Sequence, residues 1–226
     1  MVVDPNLVKR ITEEVLARLH DKNTLRVPVG VSVRHVHLSA ADLATLFGLN
    51  YELQPLRELQ PGEFAAKETV TLVGKNLRTL ENVRILGPVR FQTQVELSRT
   101  DAIYLGLDPP WRASGQLQGS ESICLVGPCG SVYLPEGVIL ARRHIHMPEH
   151  VARQWGIKDN EEVSVIAETE RPLIFQGVQV RVGSRYRLEI HLDTDDANAA
   201  GLKNGSTVRV LLGGEANWMN WRKESA

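Results

Sequence analysis

One short pattern occurs twice in this chain, as RHVHLS at Arg34–Ser39 and as RHIHMP at Arg143–Pro148. VSVRHVHLSAADLATLFGL lies beside VILARRHIHMPEHVARQWGI, so that each copy carries Arg-His-x-His, then a short helical pattern ending at a glycine. A second pair extends the match. VELSRTDAIYLGL and IHLDTDDANAAGL align without gaps from Val95 and Ile190 to Leu107 and Leu202, which sets Glu96 opposite His191. Two homologous halves are the simplest account, and both must then build the same supersecondary unit.

That unit is predominantly β. VPVGVSV, ETVTLVG, NVRILGPVRF, SICLVG, EEVSVIAE, VQVRVGS, YRLEIHL and STVRVLL read as strands, punctuated by Gly and Pro turns at spacings that suit small barrels or sandwiches. SAADLATLFGL and MPEHVARQWGI read as short helices with a cap or first-turn proline in front and a glycine behind. The predicted class is mainly β with short α-helices, preceded by an N-terminal amphipathic helix with Leu7, Ile11, Val15 and Leu19 on one face. The expected organisation is residues 1–24 as helix and linker, 25–135 and 136–213 as the two halves, and 214–226 as a polar tail.

Composition excludes several classes of function. With 26 Lys and Arg against 27 Asp and Glu, a net charge of -1 and no basic run, the chain lacks the cationic surface that nucleic acid requires. It has neither an apolar run of about 18 residues nor a secretory h-region, so no membrane partner is expected and a cytoplasmic location is. Cys124 and Cys129, spaced as CLVGPC, are expected to be buried thiols. Phosphate-loop, dinucleotide and serine-elbow motifs do not occur.

Residues i and i+2 of a strand share a face, about 7 Å apart along the backbone, and two imidazoles can close that gap onto one ion. His35 and His37 with Glu96, and His144 and His146 with His191, therefore form two candidate three-ligand sets, each leaving a coordination position open for substrate or water. Nitrogen and oxygen donors suit zinc, with cobalt, iron and nickel also compatible. Arg90 precedes Glu96 by six residues and shares its face if the strand is regular, so its guanidinium is a candidate clamp for phosphate or an oxyanion. Arg34 and Arg143 point the other way by the same parity, which predicts a structural pairing with a carboxylate. These residues fit a dinuclear zinc hydrolase or a non-enzymatic metal-binding barrel equally well.

VSVRHVHLS, FAAKETVTLVG, NVRILGPVRFQTQVELSRTDA, LVGPCG, ARRHIHMP and HLDTDDANAAGL together resemble the PduL-type phosphotransacylases, or phosphate propanoyltransferases. The resemblance implies two small β-barrels, with the first strand contributed to the barrel of the C-terminal half. It implies two zinc ions, one held by His35, His37 and Glu96 and the other by His144, His146 and His191. It also implies Arg90 as the catalytic, phosphate-binding arginine, and Val31, Ser32, Val33, Lys75, Arg84 and Asn198 as coenzyme A contacts. The family's Pro-Lys-Gly turn is replaced here by GKNLRTLEN, one residue longer, which shifts the register at Lys75. The implied reaction joins short-chain acyl-CoA (propanoyl-CoA or acetyl-CoA) and phosphate to acyl phosphate and CoA. A homo-oligomer is expected, and the N-terminal helix is similar to peptides that deliver such enzymes to bacterial microcompartment shell or core proteins.

Overall fold

A computed structural model describes residues 24–211, so the expected N-terminal helix and the polar tail lie outside the described residues. Fourteen strands, β1 (Arg26–Ser32), β2 (His35–His37), β3 (Pro55–Glu58), β4 (Phe64–Val73), β5 (Thr79–Gly87), β6 (Gln94–Leu97), β7 (Trp111–Arg112), β8 (Glu121–Val126), β9 (Ser131–Ala141), β10 (His144–Pro148), β11 (Glu162–Ala167), β12 (Leu173–Gly183), β13 (Glu189–Asp193) and β14 (Thr207–Leu211), dominate these residues. Four short helices accompany them: α1 (Ala40–Phe47), α2 (Arg99–Leu105), α3 (Glu149–Trp155) and α4 (Thr194–Ala199).

Each helix directly follows a strand that carries candidate ligands. Ser39, Ser98 and Asp193 stop β2, β6 and β13 and accept from the backbone N–H three residues on, satisfying a donor that a helix start leaves free. Pro148 serves at α3 through its fixed φ. The sequence signalled α1 and α3 as helices. It did not signal α2 and α4, whose RTDAIYL and TDDANA offer little apolar periodicity.

The strands close into two six-membered rings. In one, β2, β5, β4, β8, β9 and β6 pair in that order and back to β2, with β3 and β7 added on the flanks. In the other the order is β10, β12, β11, β14, β1 and β13. The matching is strand for strand, because β2 pairs parallel with β5 and antiparallel with β6, as β10 does with β12 and β13.

The leading strands are exchanged. β1 runs into β2 yet pairs with β13 and β14, whereas β9 runs into β10 yet pairs with β6 and β8. β9 thus spans the expected division at residues 135/136. Each barrel receives the strand that introduces the other's H-x-H, so the short links at Val33–Arg34 and Arg142–Arg143 cross between barrels.

Each barrel has its own core. Val36, Leu38, Ile85, Val95, Leu125 and Leu140 fill the first, and Val27, Ile145, Met147, Val180, Ile190 and Val210 the second. The cysteines do not join either core: Cys124 is half-buried and Cys129 is exposed. Cys124 lies between Ile123 and Leu125, which take the inward positions of β8, and Cys129 occupies the turn before β9.

Candidate functional site

Strand parity decides where the histidines go. Val36 and Leu38 point into the first barrel, so His35 and His37 stand on its outer face, as Gln94 and Glu96 do beside inward Val95 and Leu97. The second barrel repeats this with His144 and His146 beside Ile145 and Met147, and with Glu189 and His191 beside Ile190 and Leu192. Register then brings the third member in: His35 lies opposite Glu96 and His144 opposite His191. In each set the three donor atoms lie within 4.8 Å of one another.

The outer faces are covered, with His35, His37, Glu96 and His144 each no more than 9% exposed. The two faces also lie near each other. Arg181, opposite His146 on β12, acts electrostatically on Glu96 and Arg90 of the first barrel, and His191 feels Glu96 and Glu63.

Protonation follows from the hydrogen bonds. His35 Nδ1 donates to Val33 O at 2.8 Å and His144 Nδ1 to Arg142 O at 2.9 Å. A carbonyl can only accept, so in the neutral ring Nε2 bears the free lone pair. His35 Nε2 lies 3.5 Å from Glu96 Oε2, close to the ligand separation of about 3.4 Å that tetrahedral bonds of ~2.05 Å produce. Two such lone pairs repel unless a cation lies between them. His37 Nδ1, His146 Nδ1 and His191 Nε2 are buried without a hydrogen-bond partner, a costly arrangement that a metal ion relieves. His191 Nε2 does lie 3.3 Å from Glu189 Oε2, but without hydrogen-bond alignment.

Burial disfavours the protonated form of His37, His144, His146 and His191. It is the main cause that keeps His37 and His144 well below the usual imidazole range, helped by His35 and Arg90 at the first and by Arg181 and His191 at the second. Burial, then His191 and Arg181, take His146 down to about 3. Neutral imidazole is the form that binds metal. The residues present therefore fit a divalent ion in each set.

Arg90 reaches the site differently from the sequence expectation. β6 begins only at Gln94, so Arg90 is not on that strand; it is held in the preceding loop by a bridge to Ser39, its N–H donating to Leu38 O at 2.8 Å. Nη1 donates to Ser114 Oγ at 3.1 Å, and Nη2 lies 3.9 Å from Glu63. Ser114 also accepts from Gln94 Nε2 at 2.8 Å, and that same nitrogen donates to Glu96 Oε1 at 2.5 Å. A hydrogen-bonded chain thus links the arginine to a candidate ligand.

Arg34 and Arg143 pair with carboxylates as parity predicts. Arg34 forks onto Asp101 at 2.8 Å, and Arg143 onto Asp196 at 2.6 and 3.1 Å.

The remaining residues are dispersed. Val31 N–H donates to Asn204, Ser32 pairs with Asp193, and half-exposed Val33 follows at the crossing; Asn198 is on α4, which packs on β1. Arg84 lies opposite His35 but spends its guanidinium on the carbonyls of Ala66 and Lys67. Lys75 starts a 3-10 turn and pairs with Glu121 at 3.3 Å. Three residues that sequence reasoning missed belong to the site: Gln94, Arg181 and Glu189. Gln94 and Glu189 sit two positions before the third ligands, a spacing that strand parity could have flagged.

Two strand-exchanged barrels that present paired nitrogen and oxygen ligand sets on neighbouring outer faces define a double-barrel protein with two open metal-type sites. The chain belongs to the phosphate propanoyltransferase family, which matches residues 28–203, and it is an acyltransferase. A phosphate propanoyltransferase of Thermotoga maritima is 55% identical over 185 residues, covering 81% of this chain and 88% of the relative. One of Lachnoclostridium phytofermentans is 50% identical over 213 residues, covering 92% and 100%. One of Salmonella typhimurium is 45% identical over 212 residues, covering 93% and 99%.

Proposed function

We propose that this protein interconverts short-chain acyl-CoA plus phosphate with acyl phosphate plus CoA, using two zinc ions held by His35, His37 and Glu96 and by His144, His146 and His191. The observation that carries this reading is the pair of ligand sets with unpartnered donor atoms on neighbouring faces. Zinc in these sets would supply Lewis-acid stabilisation of the oxyanion and of the departing thiolate.

The chain's own groups supply orientation. Arg90, tied to Ser114 and so to Gln94, holds phosphate with one oxygen directed at the thioester carbon. Arg181 adds a second, half-buried positive charge where the tetrahedral intermediate becomes negative, with no hydrogen bond to occupy it among the described residues. The phosphate oxygen–carbon bond forms, the carbon–sulfur bond breaks, and CoA leaves. No acyl-enzyme is needed: Cys129 lies in the turn before β9, where its N–H donates to Leu46 O, and it is a member of neither set. Val31, Ser32, Val33, Lys75, Arg84 and Asn198 are proposed CoA contacts. Residues 1–24 are proposed, from their sequence pattern, to direct the enzyme into a bacterial microcompartment.

The test measures CoA thiol release from propanoyl-CoA and acetyl-CoA with and without phosphate, and metal content on the same sample. Phosphate-dependent release with acyl phosphate as product supports the reading. Release without phosphate, yielding free acid, identifies a hydrolase. Two metals and no turnover leave a binding module.

A further inference from the structure

The turn Leu59–Glu63, between β3 and β4 of the first barrel, reaches across to the second. Its Gln60 is 5% exposed, and both ends of its carboxamide are engaged. Nε2 donates to Glu189 Oε2 at 3.1 Å, and Oε1 accepts from Arg187 N–H at 2.9 Å. Arg187 Nη2 also meets Glu58 Oε1, at the end of β3, at 3.1 Å, so β3 and the turn after it are both fastened to the residues that lead into β13.

Glu189 lies over Gly30 of β1. A side chain at Gly30 on β1 would put its Cβ 2.8 Å from Glu189 Cδ and 3.0 and 3.1 Å from its carboxylate oxygens. Glycine leaves that space to the carboxylate, which lies 3.3 Å from His191 Nε2. The internal repeat gives this pair a counterpart. Gln94 and Glu189 occupy equivalent places, each two residues before a third ligand. Gln94 donates to the carboxylate of Glu96, whereas Glu189 sets a carboxylate oxygen beside Nε2 of His191, the atom that a metal would take, so its negative charge is offered to the cation and not to the ring.

We propose that Gln60 is a positioning residue for the His144, His146 and His191 set, acting from the other barrel by holding the Glu189 carboxylate beside the metal-facing Nε2 of His191, where its charge favours a bound cation. The proposal rests on the two-metal reading above. It makes the second site dependent on a side chain of the first barrel, and so couples metal binding to the docking of the barrels.

The test titrates metal-stripped protein with Co2+ and Zn2+, using His35→Ala and His144→Ala to assign the two equivalents. Gln60→Ala is expected to keep the first equivalent, weaken the second by about 10- to 100-fold and alter the cobalt absorption of that equivalent. Glu189→Gln, which keeps its shape, should do the same. The double variant should be no worse than the weaker single, because both act through one contact. Unchanged second-site affinity and spectrum in Gln60→Ala, or additive losses in the double variant, overturn the proposal. If Gln60→Ala does not fold by circular dichroism, Glu189→Gln decides alone, and an unaltered second equivalent there overturns it. Wild-type protein that takes up fewer than two equivalents overturns the two-metal reading and this proposal together.

Discussion

Arg143 forks onto Asp196, with Nε to Oδ2 at 2.6 Å and Nη2 to Oδ1 at 3.1 Å. Asp196 lies in the first turn of α4, and Arg143 immediately precedes His144, so the pair fastens the helix after the third candidate ligand to the crossing before the first two. Arg34 and Asp101 repeat it in the first barrel, at the positions the repeat aligns. The Arg143→Ala variant leaves a largely buried carboxylate without its fork and should lose about 1–3 kcal/mol, measured by urea denaturation. An unchanged unfolding midpoint would refute the pairing as a structural tie.

Removing ligands and removing the clamp should be separable. His35→Ala and His144→Ala should each lose one bound metal and most turnover. Arg90→Ala should retain both metals while kcat falls about 10²- to 10³-fold and KM for phosphate rises. Cys129→Ala should be indistinguishable from wild type. Metal analysis beside steady-state kinetics checks all four, and metal loss in Arg90→Ala would contradict its assignment.

Gln94 is 1% exposed and ties together Glu96, Ser114 and the backbone N–H of Gly115. Gln94→Met keeps the volume but removes those hydrogen bonds. The expected outcome is a first-site metal affinity lower by about 10- to 100-fold and slower turnover, with the second site untouched. Chelator competition reads this directly, and equal losses at both sites would argue for general unfolding instead.

Acid should destabilise the metal-free protein. Unfolded imidazoles take a proton near pH 6.5, whereas burial keeps His146 unprotonated down to about 3 and holds His37 and His144 well below the usual range. The unfolded state therefore binds more protons below pH 6.5, and stability falls as pH drops from 7 toward 4. The slope is at most about 1.4 kcal/mol per pH unit for each such ring. Urea midpoints at pH 7, 6 and 5 test this. A flat profile would show that the rings are solvated rather than buried.

Much of the ligand set was legible because it depends on local geometry. H-x-H puts two rings on one strand face whatever the strand pairs with, and duplication exposed Glu96 and His191 as equivalent third members. The same parity turned Arg34 and Arg143 away from the ligands toward Asp101 and Asp196. Parity failed for Arg90 because it assumed a continuous strand, whereas a loop precedes Gln94 and Arg90 is held through Ser39 and Leu38. The expectation of buried cysteines rested on the usual burial of free thiols, and it failed because Ile123 and Leu125 take the inward positions of β8 and Cys129 lies in a turn.

The amino-acid sequence by itself determined the duplicated unit, its predominantly β character, the two candidate ligand sets and the family. The family resemblance implied the crossing of β1, but only the tertiary structure decided that β9 crosses in return, that Arg181 stands near Glu96, and that Gln60 reaches Glu189 from the opposite barrel. The physical reason is range. Side-chain direction along a strand repeats every two residues and is written locally, but a hydrogen-bonding strand edge accepts any compatible partner, and closure of the whole barrel selects which one.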